Sequence, residues 1–321
     1  YETKTRQLVG GSKLIDQSGL IYIQLNNFTE PGKEFDFVIR DTSFDKNGFV
    51  QFDYIHDQQI TANVVDGLVA WTQSGTGGVR TRSWNSTNGT WKPMSSPLPL
   101  YNSNSVHHLV RGNHERDEML VASVDANAEI FYRMYNVSRQ EFGFGPVINI
   151  NATASINSRG IDAQFEEVSG DGLIVLELHR ALLDNTISYA TWNGVTFSTL
   201  TNLTLKLSRP AAWLQLVPRP NSDEMMLIIH YNGTAVAGAL SGVLEGVLWN
   251  GTDFDTATQQ TFVANTTDYL DPLFDFDWER ANNTDGFLVF NCASGCTTAG
   301  LNYLNYTRST KTWSPPALID S

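Results

Sequence analysis

Few residues in this chain have a spacing suited to chemistry. In the run LFDFDWE, Asp275 and Asp277 stand two apart. On a strand that spacing puts both carboxylates on one face, the arrangement that paired-carboxylate glycoside hydrolysis uses. An ordinary alternating strand, with phenylalanines inward and aspartates outward, spells the same letters, and that reading is preferred. His107, His108 and His114 invite a metal site. Adjacent strand residues face opposite sides, so His107 and His108 do not readily meet at one ion. A strand with surface histidines is expected instead, and no metal. No G-x-S-x-G elbow, Cys–His pair, zinc-binding helix or phosphate loop occurs. The chain is therefore expected not to be an enzyme and to hold no cofactor.

The two cysteines, Cys292 and Cys296, flank a tight Ala-Ser-Gly loop in NCASGC. In an oxidising compartment they would close a small disulfide, given Cα atoms within about 7 Å. Two free thiols are the alternative, and the flanking residues offer no further metal ligands. The compartment signal lies in the asparagines. Sequons occur at Asn27, Asn85, Asn88, Asn136, Asn151, Asn202, Asn232, Asn250, Asn265, Asn282 and Asn305, more than chance supplies. Covalent N-glycans and an extracellular or cell-surface location are expected.

Bulk composition narrows the partners. Lys and Arg number 21 against 34 Asp and Glu, a formal net charge of -13. No basic stripe is available for phosphates, so nucleic acid is not expected as a partner. No apolar run approaches the length that spans a bilayer. The chain opens at Tyr1 without a charged and then apolar leader, so any secretory signal would already be gone and its absence says nothing about compartment. Hydrophobic residues at 41% and aromatics at 11% suffice for a sizeable core.

What positions these residues is an internal repeat. The segments VRTRSWNSTNGTW, IFYRMYNVSRQEF, ISYATWNGVTF, LEGVLWNGTDF and LNYLNYTRSTKTW each hold an alternating strand, an aromatic, a polar turn and a second aromatic. The strand-ending aromatics are Trp84, Tyr135, Trp192, Trp249 and Tyr306, spaced by 51, 57, 57 and 57 residues. In the same rhythm Asp66, Asp117, Asp171, Asp223 and Asp285 open short apolar strands, each preceded by a weaker one (ITANVV, VHHLVRG, IDAQFEEV, AAWLQLV and LFDFDWE). A more diverged copy, with GLIYIQL and FDFVIRDTSFDKNGF, fills the opening. Period-two alternation and Asn-Gly turns mark hairpins. Four antiparallel strands per repeat of this length indicate a propeller blade, because each sheet buries its faces on its neighbours. The expected architecture is all-β, a single six-bladed β-propeller with four-stranded antiparallel blades near 1–55, 56–104, 105–158, 159–209, 210–270 and 271–321. Its second strands should be covered on both faces. The aromatic series is either a set of wedges between blades or a set of sugar-stacking platforms. Pro315 and Pro316 suit an edge strand, so ring closure falls to the opening YETKTRQLV, which could instead reach another molecule.

The ISYATWNGVTF style of repeat resembles the six-bladed fungal fucose-lectin propellers, whose units carry a comparable turn after the third strand. That resemblance implies sugar held by an Arg on one strand and a Glu opening the next, blade after blade. The corresponding positions here are Val79, Ile130, Ile187, Leu244 and Leu301, and Arg80 and Arg82 occur in one unit only. Several pockets of that kind are thus not expected. Sialidase boxes also fail: Ser86–Trp91 has the wrong spacing and carries Asn88 for Asp. Arg111, Arg159 and Arg209 belong to no box.

The apolar second strands end in Gln73, Asp125, His179, His230 and Asn291. In a propeller these ends line the face carrying the loops between strands two and three, as a binding rim or as strand ends meeting water. Asn85, Asn88, Asn136, Asn250 and Asn305 fall near turns between strands three and four, and Asn282 between strands one and two. Those turns share the opposite face, so partners should use the rim face, the blade edges or the termini. Two functions follow. The first is a non-enzymatic structural or adhesive surface protein, self-associating into filaments or lattices or binding other surface glycoproteins. The alternative is a lectin with a carbohydrate ligand, and a propeller glycosidase ranks third.

Overall fold

The computed structural model describes residues 13–14, 20–26, 34–40, 49–57, 64–72, 79–85, 90–93, 105–113, 115–125, 129–139, 141–144, 150–151, 160–177, 186–205, 211–231, 243–263, 274–279, 285–292 and 300–320. Every regular element among them is a β-strand. The chain divides into two units, residues 1–150 and 151–321.

In the first unit, β1 (Lys13–Leu14) precedes a two-stranded hairpin, β2 (Leu20–Asn26) and β3 (Glu34–Arg40). A meander follows of β4 (Phe49–Asp57), β5 (Val64–Thr72), β6 (Val79–Asn85) and β7 (Thr90–Trp91), with β1 added outside β4. The strand paired with the apolar β5 is β4, not ITANVV: His56 and Asp57 stand opposite Val65 and Val64. Strand β4 thus crosses the division drawn between residues 55 and 56. At nine residues, β4 is longer than the ITANVV run, whose last two residues, Val64 and Val65, belong to β5 itself. The next sheet holds β8 (Ser105–Asn113), β9 (Glu118–Asp125), β10 (Glu129–Asn136) and β11 (Glu141–Phe144), with β12 (Ile150–Asn151) also on β10. Leu68, Ala70 and Val79 of one sheet share a core with Val110, Met119, Val121 and Tyr135 of the other.

The second unit has three such sheets. The first is β13 (Ile161–Phe165), β14 (Gly172–Glu177), β15 (Thr186–Trp192) and β16 (Thr201–Thr204). The second is β17 (Ala211–Pro218), β18 (Met225–Tyr231), β19 (Val243–Trp249) and β20 (Phe254–Val263). The third is β21 (Phe274–Trp278), β22 (Asp285–Cys292), β23 (Gly300–Thr307) and β24 (Thr312–Trp313), with β25 (Ala317–Asp320) also on β23. Pro315 and Pro316 connect these last two strands.

Local chemistry explains the repeat. In the Trp-Asn-Gly turns, Asn193 Oδ1 accepts the amide N–H groups of Val195 and Thr196, and Asn250 Oδ1 accepts those of Thr252 and Asp253. Gly194 and Gly251 follow with φ of 87° and 96°, a region costly to any residue with a Cβ. The leading aspartates tie down turn amides. Asp117 Oδ2 accepts Ser138 N–H at 2.8 Å, and Asp285 Oδ1 accepts Arg308 N–H at 3.2 Å. Strands β14, β18 and β19 are buried along their whole lengths, as two-faced coverage requires. Strand β22 departs from that expectation: it alternates, with Gly286, Leu288, Phe290 and Cys292 inward and Phe287 and Asn291 exposed.

Candidate functional site

The paired aromatics of the repeat spend their faces on one another. Trp84–Trp91, Tyr135–Phe142, Trp192–Phe197, Trp249–Phe254 and Tyr306–Trp313 lie with ring centroids 4.7 to 5.5 Å apart. Tyr135, Trp192, Trp249 and Tyr306 are buried, and Trp84 is half-buried. Trp249 also meets Tyr189 of the preceding sheet edge to face, at 5.7 Å. Tyr135, Trp249 and Tyr306 are wedges, each sharing a core with residues of a neighbouring sheet. A sugar ring needs an open aromatic face, and the buried four offer none.

Carboxylates complete the junctions between sheets in the second unit. Trp249 Nε1–H donates to Glu166 Oε1 at 2.8 Å, from one sheet to the next. Ser169 Oγ donates to Glu166 Oε2 at 2.5 Å. Burial is the largest influence on Glu166 and, with Asp223 and Asp171 nearby, outweighs these bonds and raises its pKa. The next junction has the opposite electrostatics. Glu224 accepts Arg308 Nε–H at 2.6 Å across the sheets and Arg219 Nη1–H at 2.6 Å within its own. Burial pushes Glu224 up, but the two guanidiniums prevail and hold it below the usual carboxylate range. The same two residues also sit near Tyr306, whose hydroxyl burial raises to about 12.

Two further latches repeat on the first strands. Asp162 Oδ2 accepts Leu216 N–H at 2.9 Å, and Gln215 Oε1 accepts Phe276 N–H at 3.3 Å. Each holds the following sheet's first strand by its backbone. Sequence reading missed these contacts, although a faint signal existed: Glu166 to Trp249 and Glu224 to Arg308 span 83 and 84 residues. That separation matches no single repeat, because the partners sit at different places in neighbouring blades.

Asp275 and Asp277 do share an exposed face of β21. Asp275 Oδ1 accepts Gln215 Nε2–H at 2.7 Å, and Asp277 Oδ1 accepts the N–H of Trp278 at 2.9 Å. His108 is buried rather than at the surface, its Nε2 lying 3.1 Å from the Ala70 carbonyl oxygen. The sheet of β5 covers that face of β8, which the isolated strand pattern did not reveal. His230 is likewise buried inside β18, with Phe274 of the next sheet at 5.9 Å, so it does not stand at an open rim. Asn291 is exposed on β22, and Asp125 ends β9. Gln73, His179, His114, Arg159 and Arg209 lie outside the described residues.

Among the sequons, Asn136, Asn202 and Asn250 use Oδ1 as an acceptor. The donors are Arg139 N–H at 2.7 Å, Ser188 Oγ–H at 2.9 Å and the turn amides already given. Asn85 and Asn151 end β6 and β12. Asn305 is exposed on β23, two residues before that strand ends at Thr307. Asn27, Asn88, Asn232, Asn265 and Asn282 lie outside the described residues. Cys292 ends β22 buried and is not a free thiol; Cys296 lies outside the described residues.

One open aromatic surface exists on the described part of this unit. Phe287 of β22, 41% exposed, stacks on Tyr303 of β23 with centroids 5.0 Å apart and planes 27° from parallel. Val289 and Leu301 extend the same face. Asp277 lies opposite Phe287 on one side and Asn305 on the other. An apolar aromatic centre between polar flanks fits a pyranose ring, which has one apolar face and a hydroxyl rim.

No helix among the described residues is long and apolar enough to cross a membrane. No protein-family model and no curated protein matches the chain. Solved structures do. A mutant of the Aleuria aurantia lectin in complex with alpha-methyl-L-fucoside matches at 11% identity, covering 88% of this chain and 81% of that one, with a TM-score of 0.48. AofleA from Arthrobotrys oligospora matches at 11% identity over 84% and 71%, with 0.46. The Dos1 propeller matches at 9% identity over 95% of this chain and 66% of that one, with 0.51. Successive antiparallel four-stranded sheets, together with the likeness to the Dos1 propeller, make this chain a β-propeller.

Proposed function

We propose that this chain is a non-enzymatic, extracellular, N-glycosylated β-propeller that serves as a structural or adhesive surface protein and associates with copies of itself or with other surface glycoproteins. The observation that carries this reading is where its chemical groups go. The strand-ending aromatics Tyr135, Trp249 and Tyr306 are wedges, and Glu166, Glu224 and Asp162 bind the neighbouring sheet. Groups that a repeated sugar pocket or an acid–base pair would expose are engaged in holding blades together. The sequons and the Cys292–Cys296 pair fit an oxidising exterior compartment.

Electron microscopy of native, still glycosylated protein tests this. Filaments or lattices support a building subunit. Isolated particles that neither associate at rising concentration nor bind other surface glycoproteins refute it.

A lectin is the second reading, favoured by the exposed Phe287–Tyr303 pair between Asp277 and Asn305. It requires added monosaccharide to raise the melting temperature of the protein, and absence of any such rise across a glycan panel removes it.

A further inference from the structure

Several buried aromatic donors of unit two have acceptors. Trp278 Nε1–H donates to the Val217 carbonyl oxygen at 3.0 Å, from the third sheet to the second. At the preceding junction Trp249 Nε1–H reaches Glu166, and Tyr189 Oη–H reaches Asp253 Oδ1 at 2.8 Å. Tyr306 differs. Its side chain is 0% exposed, and its hydroxyl has no hydrogen-bond partner among the described residues. Trp313, directly opposite on the next strand, has a buried Nε1 with no acceptor among them either. Tyr306 belongs to the apolar core between the second and third sheets, and Trp313 packs against it. Both sheets lie within residues 151–321.

The repeat explains why this hydroxyl is short of an acceptor. Tyr306 occupies the place of Trp249, 57 residues on. The residue that follows the first strand is Glu166 in one sheet and Arg219 in the next. Each donates its amide N–H across the turn at 2.8 Å, to the carbonyl oxygens of Asp171 and Glu224 respectively. The acceptor that serves Trp249 is thus replaced by a guanidinium beside Tyr306. Arg219 turns to the Glu224 carboxylate instead, and Arg308 bonds the same carboxylate. The charges that act on the hydroxyl are those of Arg308, Glu224, Asp255 and Arg219. Lys311 offsets Asp255 at 2.6 Å, so two guanidiniums against Glu224 leave one positive charge in excess. A buried hydroxyl is destabilising unless paired, and in folded proteins such groups are met by ordered water or an ion.

We infer that this junction binds a single-atom hydrogen-bond acceptor, a chloride ion or a water molecule, at Tyr306 Oη. The phenol donates to it, and the excess of guanidinium charge favours an occupant with a negative pole. The rings of Trp278 and Trp313, 5.8 and 5.0 Å from that of Tyr306, restrict it to a small species. Binding there links the stability of the second and third sheets to the occupant.

The test uses the full chain. A crystal structure determined in bromide is expected to show a peak within hydrogen-bond reach of Tyr306 Oη, absent from Tyr306→Phe. Melting temperatures are compared in chloride and in gluconate at one ionic strength, which keeps screening of the Glu224 ion pairs constant. A halide occupant gives an anomalous bromide signal and a parent that melts about 2–4 °C higher in chloride. That difference disappears in Tyr306→Phe. A peak with neither property identifies water. With either occupant, Tyr306→Phe should melt about 2–4 °C below the parent, since the occupant loses its donor while the ring and its packing are kept. Removing a hydroxyl that is truly unpaired is instead neutral or stabilising. A Tyr306→Phe variant as stable as the parent, or no peak beside Oη, overturns the site.

Discussion

Replacing Glu224 with Gln tests whether the electrostatic latch between the second and third sheets of unit two contributes to stability. Gln keeps the shape and one acceptor oxygen but removes the charge that faces Arg308 and Arg219. Charge-assisted bonds contribute about 1.5–3 kcal/mol each. Both guanidiniums are partly open to water, with side chains 21% and 28% exposed, so screening reduces that sum. A loss of about 2 kcal/mol at pH 7 is expected, read as a lower urea midpoint with an unchanged slope. The pH dependence gives a sharper test. The folded pKa of Glu224 lies below its unfolded value, so its contribution is full above the unfolded value of about 4.3 and disappears as pH falls through the folded one. The difference between parent and Glu224→Gln should therefore shrink towards zero in acid. A difference below about 0.5 kcal/mol at pH 7, or one unchanged on acidification, refutes the latch.

Glu166 should behave in the opposite sense. Its folded pKa is raised, so its favourable contribution is full below the unfolded value and is lost as pH rises through the folded one. Glu166→Gln keeps an acceptor for Trp249 Nε1–H, and chemical denaturation should show it matching or exceeding the parent at pH 8 while falling behind at pH 4. Gly286→Ala places a methyl against the Phe276 ring, and a loss of about 1–3 kcal/mol is expected from overpacking; a midpoint equal to the parent's would show that the sheet yields there. Denatured protein should take up no alkylating agent at Cys292 or Cys296 until a reductant is added, and closing so short a loop contributes about 2 kcal/mol. Labelling without reductant would show two thiols.

Much of the fold was legible because hairpins are local. The Trp-Asn-Gly turns, the aspartates Asp117, Asp171, Asp223 and Asp285 and the alternation of β21 all depend on residues close in sequence and appear where the repeats place them, whereas Asp66 lies inside β5 opposite Ile55. The candidate site was less legible. His108 and His230 read as surface or rim residues because a strand pattern does not reveal what covers its other face. Ala70's sheet and Phe274 provide that cover. The latch of Asp162 to Leu216 has no sequence signature, since a backbone amide carries no side-chain letter. The first strand of the second blade was misplaced for a related reason. Choosing between ITANVV and β4 requires knowing which one pairs with β5.

By itself the sequence determined the all-β architecture of successive antiparallel hairpins and the chemistry available at each position, because side-chain periodicity and turn propensity act over a few residues. Only the tertiary structure decided how those groups are used. Whether an aromatic is a wedge or an open platform depends on the sheet packed against it: Trp249 is enclosed between two blades, whereas Phe287 stacks on Tyr303 in the open. Whether a carboxylate is raised or lowered depends on what the neighbouring sheets bring to it: burial raises Glu166 despite its bond to Trp249, and Arg308, 84 residues away, helps to lower Glu224. Burial and pairing are properties of neighbouring sheets, and those neighbours are set only when the blades come together.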